Sequence, residues 1–351
     1  MNIKDELKAA VLSLKPNDPN FEPLALEIFR YQAEQNPIYK AFLKNLQIDP
    51  LKVTHLEKIP CLPIQFFKTQ EIVSGQIEIQ HVFESSGTTS SLNAKHYIAD
   101  LPFYEFSSIK AFEWLYGPLN NYHILALLPN YLEKGQSSLV YMVQGFIHNS
   151  FSQESGFYLD NIDELLRQLE ALLRNSSRKI LLWGVTFALL DLSEKTAELG
   201  FLKEFSDRLI VMETGGMKGR KKEMLREEVH DKLKNAFGVK SIHSEYGMTE
   251  LLSQAYAQTD GLFQSAPSMR ILLRDVNDPF SYLPSFQLGD GPKHKRNQTG
   301  GINVFDLANI DSCCFIETQD LGSYSDDYQH FRVVGRFDNS DIRGCNLMAI
   351  S

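Results

Sequence analysis

Residues 162–186, IDELLRQLEALLRNSSRKILLWGVT, decide the fold class of this chain. Residues 162–175 repeat leucine at helical spacing behind Asn161 and Asp163, which predicts a helix that begins here. Residues 179–186 then form an apolar run of strand length. Similar strand-like runs occur at HILALLP (123–129), RLIVMETGG (208–216) and SIHSEYG (241–247). Strands that alternate with helices indicate βαβ units and a parallel sheet, in which ligands bind at the carboxyl ends of strands.

The pattern changes along the chain and predicts three regions. Residues 1–76 have helical periodicity, as in the amphipathic segment 1–16. Residues 77–260 carry the alternation of strands and helices, which predicts an α/β nucleotide-binding body. Residues 261–351 contain short β-like runs joined by Gly, Pro and charged turns, and they predict a mostly β subdomain that ends in a flexible tail.

Composition narrows the class of protein. The 351 residues are 43% hydrophobic and carry a formal net charge of −9, which argues against sequence-independent binding to nucleic acid. The sequence contains no apolar run long enough to span a membrane, and its first residues lack the apolar core of a signal peptide. The four cysteines, Cys61, Cys313, Cys314 and Cys345, lack metal-ligand spacing and suit a reduced compartment, so we expect a cytoplasmic protein.

The stretch FESSGTTSSLNAKHY, Phe83–Tyr97, packs hydroxyl side chains around Gly87. It follows QIEIQHVF (76–83), whose alternation predicts a strand. A strand that enters a glycine loop rich in hydroxyl and amide donors is typical of a phosphate-binding site, and Lys95 adds a positive charge nearby. A solvated Ser/Thr loop is the structural alternative.

Two further motifs follow predicted strands. Gly215, Gly216 and Met217 come between a strand and a helix, where backbone groups can lie flat against a planar ligand such as adenine; a simple helix-entry turn is the alternative. In SEYGMTE (244–250), Tyr246 can cover a ring, Thr249 can donate a hydrogen bond to a phosphate, and Glu250 can hold a Mg²⁺ ion.

The C-terminal region adds a carboxylate and several arginines. Asp320 ends a β-like run, where it can accept hydrogen bonds from a ribose diol or can form a turn. Arg336, Asp338 and Arg343 follow between two glycines, and arginine offers bidentate recognition of oxyanions, while surface ion pairs are the alternative.

Taken in order, five segments resemble the core motifs of the acyl-adenylate-forming superfamily, which includes acyl-CoA ligases and luciferases. They are SSGTTS (85–90), TGGMKG (214–219), YGMTE (246–250), TQDLG (318–322) and GRFDNSDIRG (335–344). Within that superfamily the chain looks most like the acyl-protein synthetase (LuxE-type) branch of bacterial bioluminescence. The resemblance runs from about Phe83 to the C-terminus.

The resemblance implies a role for each matching residue and a requirement for ATP and Mg²⁺. The β and γ phosphates would contact a loop formed by Ser85, Ser86, Gly87, Thr88 and Thr89. Adenine and the α-phosphate would contact Gly215, Gly216, Met217, Tyr246, Gly247 and Thr249, with Glu250 on the magnesium. Asp320 would accept the ribose hydroxyls, with Arg336 nearby.

The sequence departs from the superfamily pattern in two places. SSLNAK (90–95) replaces the usual close order of Gly, Pro and Lys, which puts a phosphate role for Lys95 in doubt. The chain also stops soon after the hinge motif at 335–338, so we expect the N-terminal domain of an adenylate-forming enzyme without its mobile C-terminal domain. LuxE-type proteins share that truncation and are described by an acyl-carrying cysteine, for which Cys345 is the candidate.

These implications predict an enzyme that activates a carboxylic acid, with a fatty acid favoured, and transfers the acyl group to a thiol. The acceptor would be Cys345 and then a partner protein, such as a reductase or an acyl carrier protein, or coenzyme A. The segments 103–117 and 183–192 are expected to line the acyl pocket or to be simple core. A phenylacetate-CoA-ligase-like enzyme and a non-catalytic nucleotide-binding protein stay open, whereas a serine hydrolase lacks its GxSxG turn.

Overall fold

The structure, a computed structural model, describes residues 3–85, 92–128, 136–159, 161–195, 199–215, 224–283, 298–325 and 330–337. Its α-helices are α1 (Ile3–Ser13), α2 (Phe21–Gln35), α3 (Pro37–Asn45), α4 (Phe66–Thr69), α5 (Leu101–Tyr116), α6 (Ser138–Asn149), α7 (Ile162–Asn175), α8 (Thr186–Ser193) and α9 (Arg226–Phe237). Its strands are β1 (Leu62–Pro63), β2 (His81–Glu84), β3 (Lys95–Ile98), β4 (Tyr122–Leu127), β5 (Gly156–Tyr158), β6 (Lys179–Val185), β7 (Leu209–Thr214), β8 (His243–Tyr246), β9 (Ala255–Ala257), β10 (Phe263–Ser265), β11 (Met269–Arg274), β12 (Thr299–Asp306), β13 (Phe315–Tyr324) and β14 (Phe331–Arg336). None of the helices in these ranges has the length and apolar composition needed to cross a membrane.

The chain forms two compact units. One joins residues 1–75 to residues 269–351, and the other comprises residues 76–268. The first unit brings the two ends of the sequence together because β1 pairs in parallel with β13, placing Leu62 opposite Ile316. The helical N-terminal residues and the β-rich C-terminal residues therefore share one core.

The first unit is built around an antiparallel sheet. β12 pairs with β11 on one side and with β13 on the other, and β13 also pairs with β14. Cys313 and Cys314 are fully buried just before β13 begins. Burial raises the pKa of the Cys313 thiol to about 12, so this thiol stays protonated near neutral pH.

The buried amide of Gln32 holds helix α2 against the turn that precedes β13. Its Nε2 donates to the carbonyl oxygens of Asn309, Ile310 and Ser312 at 3.0, 3.0 and 3.1 Å. Its Oε1 accepts from the backbone N–H of Cys314 at 3.0 Å. One side chain thereby supplies hydrogen bonds to several buried backbone groups of this turn.

The second unit contains the parallel sheet that the alternating pattern predicts. Its strand order is β10–β9–β8–β7–β6–β4–β5, and β4 to β8 pair in parallel while β9 and β10 are antiparallel. All six residues of β4 are buried, as befits a strand covered on both faces. The predicted strands at 123–129, 179–186, 208–216 and 241–247 are confirmed as β4, β6, β7 and β8.

Helices cover both faces of this sheet. On one face, Phe112 of α5 lies 6.4 Å from the ring of Trp183 and 5.8 Å from that of Tyr256, measured between ring centroids. On the other face, Arg226 and His230 of α9 contact β7 and β8. The two segments expected to line an acyl pocket, 103–117 and 183–192, thus meet through Phe112 and Trp183.

One element prediction was too long. The strand expected over 76–83 is only His81–Glu84, because its partner β3 ends at Ile98 and the chain then enters α5, whose N-cap is Asp100. Helix α9 begins at Arg226, directly after Leu225, which has extended backbone angles and is 71% exposed. Residues 216–223 lie outside the described part of the chain.

Replacing Gln32 with methionine tests the role of this amide. We expect Gln32→Met to lower the free energy of unfolding by about 3 kcal/mol, because buried backbone groups of the turn lose the hydrogen bonds that Gln32 makes. Urea unfolding measures the change, and Gln35→Met, at an exposed position of the same helix, is the matched control. Equal stability of the two variants would contradict this account.

Candidate functional site

The candidate site lies where β6, β7 and β8 end. The strands are parallel and in register, so that Val185, Thr214 and Glu245 stand side by side. Their following residues therefore reach the same edge of the sheet. This edge is the usual ligand-binding edge of such sheets, and it carries the predicted residues that follow β7 and β8.

Gly215 leaves β7 in a conformation that favours glycine. Its φ is +73°, in the left-handed region, and apart from its chain neighbours no residue in the described part of the chain has an atom within 4 Å of the position a Cβ would take. The hydroxyl of Thr186 lies 3.1 Å from the carbonyl oxygen of Gly215 and holds this turn. The result is an exposed stretch of backbone against which a flat ring can lie.

The segment from Tyr246 to Glu250 leaves β8 through a tight turn. Tyr246 is 8% exposed and makes an edge contact with Phe263, with ring centroids 5.9 Å apart. A Cβ at Gly247 would lie too close to Glu245 Oε1, so a side chain there would displace the Glu245 carboxylate. Thr249 is half-buried and the Glu250 side chain is buried. The hydroxyl and the carboxylate predicted to bind phosphate and metal are thus adjacent on one turn.

Ser85 closes the β2–β3 hairpin. Its backbone N–H donates to the Ala94 carbonyl at 3.0 Å, and its Oγ accepts from the Ala94 N–H at 2.9 Å. Lys95 forms an ion pair with Glu84, with Nζ 3.6 Å from Oε1. Ser85 thus has a structural role at the base of the predicted phosphate loop, and Lys95 has an acidic partner on the neighbouring strand.

Asp320 and Arg336 lie in the first unit, opposite each other on β13 and β14. Arg336 Nε donates to Asp320 Oδ1 at 2.9 Å, and the Asp320 N–H donates to Thr318 Oγ1 at 3.1 Å. The Arg336 side chain is 70% exposed, whereas that of Asp320 is 11% exposed. The pair therefore presents an oriented carboxylate that can accept hydrogen bonds from a diol.

Several predicted site residues lie outside the described part of the chain. They are Ser86, Gly87, Thr88, Thr89, Gly216, Met217 and Cys345, together with Asp338 and Arg343 of the last motif.

A buried charged network next to the site was not foreseen from the sequence. Arg226 Nη1 donates to Glu213 Oε1 at 2.7 Å, and the Thr186 hydroxyl donates to Glu213 Oε2 at 2.7 Å. Burial disfavours the charge of Glu213, but His230 and Arg226 outweigh it and hold the pKa of this carboxyl below its ordinary value. Glu213 is therefore a buried carboxylate that fixes the ends of β6 and β7.

Glu245 is a second buried carboxyl, on the opposite face of the sheet. It was likewise not foreseen from the sequence. Burial raises its pKa from 4.5 to about 7, with a smaller contribution from the charge of Glu213, although a hydrogen bond from Thr214 opposes the rise. The register places it beside Tyr256 of β9. Successive side chains of a strand point to opposite faces of the sheet. This alternation is the sequence signal that could have assigned Glu213 and Glu245 to different faces.

The site has features that fit a nucleotide and its magnesium. The open backbone at Gly215 can receive a planar base, and the hydroxyl of Thr249 can donate to a phosphate. Mg²⁺ is commonly bound through one or two carboxylates and the oxygens of substrate phosphates, so the single carboxylate of Glu250 is compatible with the predicted magnesium site. Within the described ranges there is no cluster of three or more His, Cys, Asp or Glu side chains arranged for a metal ion.

Comparisons with known proteins support the fold. No protein-family model and no curated protein matches the sequence. An open conformation of 2-hydroxyisobutyryl-CoA ligase, in complex with 2-HIB-AMP and CoA, is similar in structure with a TM-score of 0.64 at 13% identity, covering 90% of this chain and 70% of that one. The chain therefore has the α/β fold of the N-terminal domain of adenylate-forming enzymes.

Two other solved structures are more distant. The adenylation domain of a keto acid-selecting NRPS module bound to keto acyl adenylate has a TM-score of 0.49 at 11% identity, covering 85% of this chain and 58% of that one. A fatty acid AMP ligase from Legionella pneumophila has a TM-score of 0.44 at 16% identity, covering 78% of this chain and 53% of that one. These two likenesses are too distant to carry an argument.

The raised pKa of Glu245 predicts a pH dependence of stability. Unfolded Glu245 loses its proton near pH 4.5 and folded Glu245 near pH 7, so the free energy of unfolding should fall as pH rises through this window. In the wild-type protein this effect lowers the free energy of unfolding by at most about 3 kcal/mol between pH 5 and pH 8. We expect Glu245→Gln to abolish this part of the pH dependence. Urea unfolding at both pH values measures it.

The control for this test is Glu34→Gln, at an exposed position of α2. It should leave the pH dependence of the wild-type protein unchanged. If Glu245→Gln also keeps the wild-type pH dependence, Glu245 does not hold its proton in the folded state as described.

Proposed function

We propose that this protein uses ATP to activate a carboxylic acid as an acyl-adenylate and then transfers the acyl group to a thiol. One observation carries the proposal: the turns at Gly215 and at Tyr246–Glu250 follow neighbouring parallel strands, in the fold of an adenylate-forming domain. The similarity to 2-hydroxyisobutyryl-CoA ligase supports this reaction class, since the structure of that ligase contains 2-HIB-AMP and CoA.

Each residue acts on one part of the nucleotide. Gly215 offers its flat backbone to adenine, and the ring of Tyr246 covers the base. The Thr249 hydroxyl donates to the α-phosphate, and Asp320 accepts from the ribose hydroxyls while its hydrogen bond from Arg336 orients the carboxylate. Within the second unit, the contacts of Gly215, Tyr246 and Thr249 hold the α-phosphorus in position for attack.

The first reaction step is a displacement at the α-phosphorus. A carboxylate oxygen of the substrate forms the new O–P bond, and the bond to the bridging oxygen breaks, so pyrophosphate leaves with the electron pair. In the second step a thiolate attacks the acyl carbon of the mixed anhydride, and AMP leaves. The hydrogen-bond donor on Thr249 stabilises the charge that develops on the α-phosphate oxygens.

Glu250 is the proposed protein ligand for Mg²⁺. When bound, Mg²⁺ neutralises charge on the phosphates and helps pyrophosphate to leave. The Glu250 carboxylate, buried on the turn after β8, would hold the ion from the protein side.

We further propose that the chain is an acyl-protein synthetase of the LuxE type that acts on a fatty acid in the cytoplasm. Its motif order supports this branch, and Cys345 is the proposed first acceptor of the acyl group. A partner protein, a reductase or an acyl carrier protein, or coenzyme A, would then receive it. Cys61, Cys313 and Cys314 are free thiols, which suits a reducing compartment.

Acid-dependent ATP–pyrophosphate exchange tests the adenylation step. A panel from acetate to tetradecanoate, with simple aryl acids, should contain at least one acid that supports exchange in the presence of Mg²⁺. Glu250→Gln should lower that exchange about tenfold or more, because a neutral amide is a poor ligand for magnesium. Exposed Glu227→Gln in α9 is the matched control. Unchanged exchange in Glu250→Gln would overturn the assignment of this residue.

A labelling experiment tests the acceptor. With radioactive acid and ATP, Cys345→Ser should keep wild-type pyrophosphate exchange but lose covalent labelling of the protein, because the serine hydroxyl is a much weaker nucleophile than a thiolate. Cys61→Ala should keep its label, since Cys61 is buried and its raised pKa holds it as an unreactive thiol. Persistent labelling of Cys345→Ser would assign the acyl group to another acceptor.

A further inference from the structure

His96 is a buried histidine next to the candidate site, and it belongs to none of the five superfamily motifs described above. It lies on β3 and is 1% exposed. Its Nδ1 lies 2.8 Å from the carbonyl oxygen of Thr249. A carbonyl oxygen can only accept, so Nδ1 carries the proton and donates it, which fixes the tautomer or the charged form of the ring.

The hairpin that carries His96 is firmly anchored. His96 is paired with Phe83 of β2, and the Phe83 ring packs against Tyr104 and Tyr141 at centroid distances of 5.5 and 5.6 Å. Ser85 closes the hairpin through its hydrogen bonds with the backbone of Ala94. The imidazole therefore has a rigid support on its own side of the hydrogen bond.

The receiving side is a turn without sheet pairing. β8 ends at Tyr246, and the turn makes its own backbone bond from the Leu251 N–H to the Met248 carbonyl at 3.1 Å. The Thr249 carbonyl belongs to the peptide unit that joins Thr249 to Glu250. Because a peptide unit is planar, a donor that fixes this carbonyl also restrains how the two residues are oriented relative to each other.

We propose that His96 is a positioning residue whose hydrogen bond to Thr249 fixes the phosphate-binding hydroxyl and the magnesium-binding carboxylate in their working geometry. The inference rests on the proposed function, since it gives His96 a task in binding the phosphates and Mg²⁺. It acts through the backbone of Thr249 and makes no claim that the imidazole touches substrate. The acid substrate has no part in this contact.

The inference predicts a selective defect in His96→Phe, which keeps a ring and removes the donor. The Mg²⁺ concentration for half-maximal ATP–pyrophosphate exchange should rise about fivefold or more, and kcat should fall about tenfold, because the Thr249 carbonyl loses the hydrogen bond from His96. KM for the acid should stay within about twofold of the wild-type value, since the contact holds only the phosphate and metal end. Steady-state exchange with separate titrations of Mg²⁺ and acid measures each value.

His96→Asn provides the rescue. The Asn amide nitrogen stands at about the same distance along the side chain as Nδ1 of histidine, so it can donate to the same carbonyl. We expect its Mg²⁺ dependence to be close to the wild-type one even if its thermal stability falls. A Mg²⁺ dependence in His96→Asn as poor as that in His96→Phe, or wild-type kinetics in His96→Phe, would overturn the inference.

His123 supplies the matched control in the same unit. It is also buried, and its ring nitrogens contact the hydroxyls of Ser152 and Ser176 at 2.7 and 2.8 Å. It lies at the amino end of β4, away from the strand ends that form the site. His123→Phe should lose stability and keep the wild-type Mg²⁺ dependence. If it shifts this dependence as His96→Phe does, the effect is general destabilisation and the inference fails.

Failure of the proposed function is distinguishable from failure of this inference. A wild-type protein that binds ATP but shows no exchange with any acid would refute the adenylation reaction. The role of His96 is then decided by calorimetric titration of ATP with and without Mg²⁺, where His96→Phe should lose the Mg²⁺-dependent gain in affinity and keep the Mg²⁺-independent binding. A wild-type protein that binds no ATP would refute both.

Discussion

Parallel backbone pairing of β6, β7 and β8 is the constraint on which the candidate site depends. It aligns Val185, Thr214 and Glu245 across the sheet, so the residues that follow them leave at one edge. A shift of one residue in this register would exchange the two faces of a strand and separate Thr214 from Glu245. The turns that carry Gly215 and Thr249 are adjacent because the backbone hydrogen bonds leave no other arrangement.

The same register places two neighbouring carboxyls, Glu213 and Glu245, in environments that shift their pKa values in opposite directions. Glu213 faces α9, where Arg226 and His230 stabilise its charge. Glu245 faces the aromatic layer of α5, where burial favours its protonated form and Thr214 supplies a hydrogen bond. A charged carboxylate on one face and a protonatable one on the other support the same strand ends, and their ionisation states follow from which face each occupies.

Local pattern predicted the central parallel strands of the second unit and helix α7. The apolar runs that became β4, β6, β7 and β8 and the leucine repeat that became α7 (Ile162–Asn175) depend on neighbours in sequence, which periodicity records. The turns at Gly215 and at 246–250 were predicted for the same reason, since each directly follows such a strand. Strand ends at 76–83 were not predicted well because a strand extends only as far as its partner does.

What could not be predicted depends on contacts between distant residues. The pairing of β1 with β13 and the bonds of Gln32 to the turn at 309–312 join residues more than 200 positions apart, and no periodicity marks them. Likewise Arg226, His230 and His96 lie in ordinary helix and strand sequence, and only the fold brings them to Glu213 and Thr249. Site residues outside glycine-rich or hydroxyl-rich motifs are therefore recognised only from the structure.

The most direct measurement is a crystal structure of the protein with Mg²⁺ and ATP. The account predicts a magnesium ion coordinated by the Glu250 carboxylate at about 2.1 Å, with the α-phosphate within hydrogen-bond distance of the Thr249 hydroxyl and the base along Gly215. A nucleotide bound away from the turns that follow β7 and β8, with Glu250 contacting neither metal nor phosphate, would contradict it.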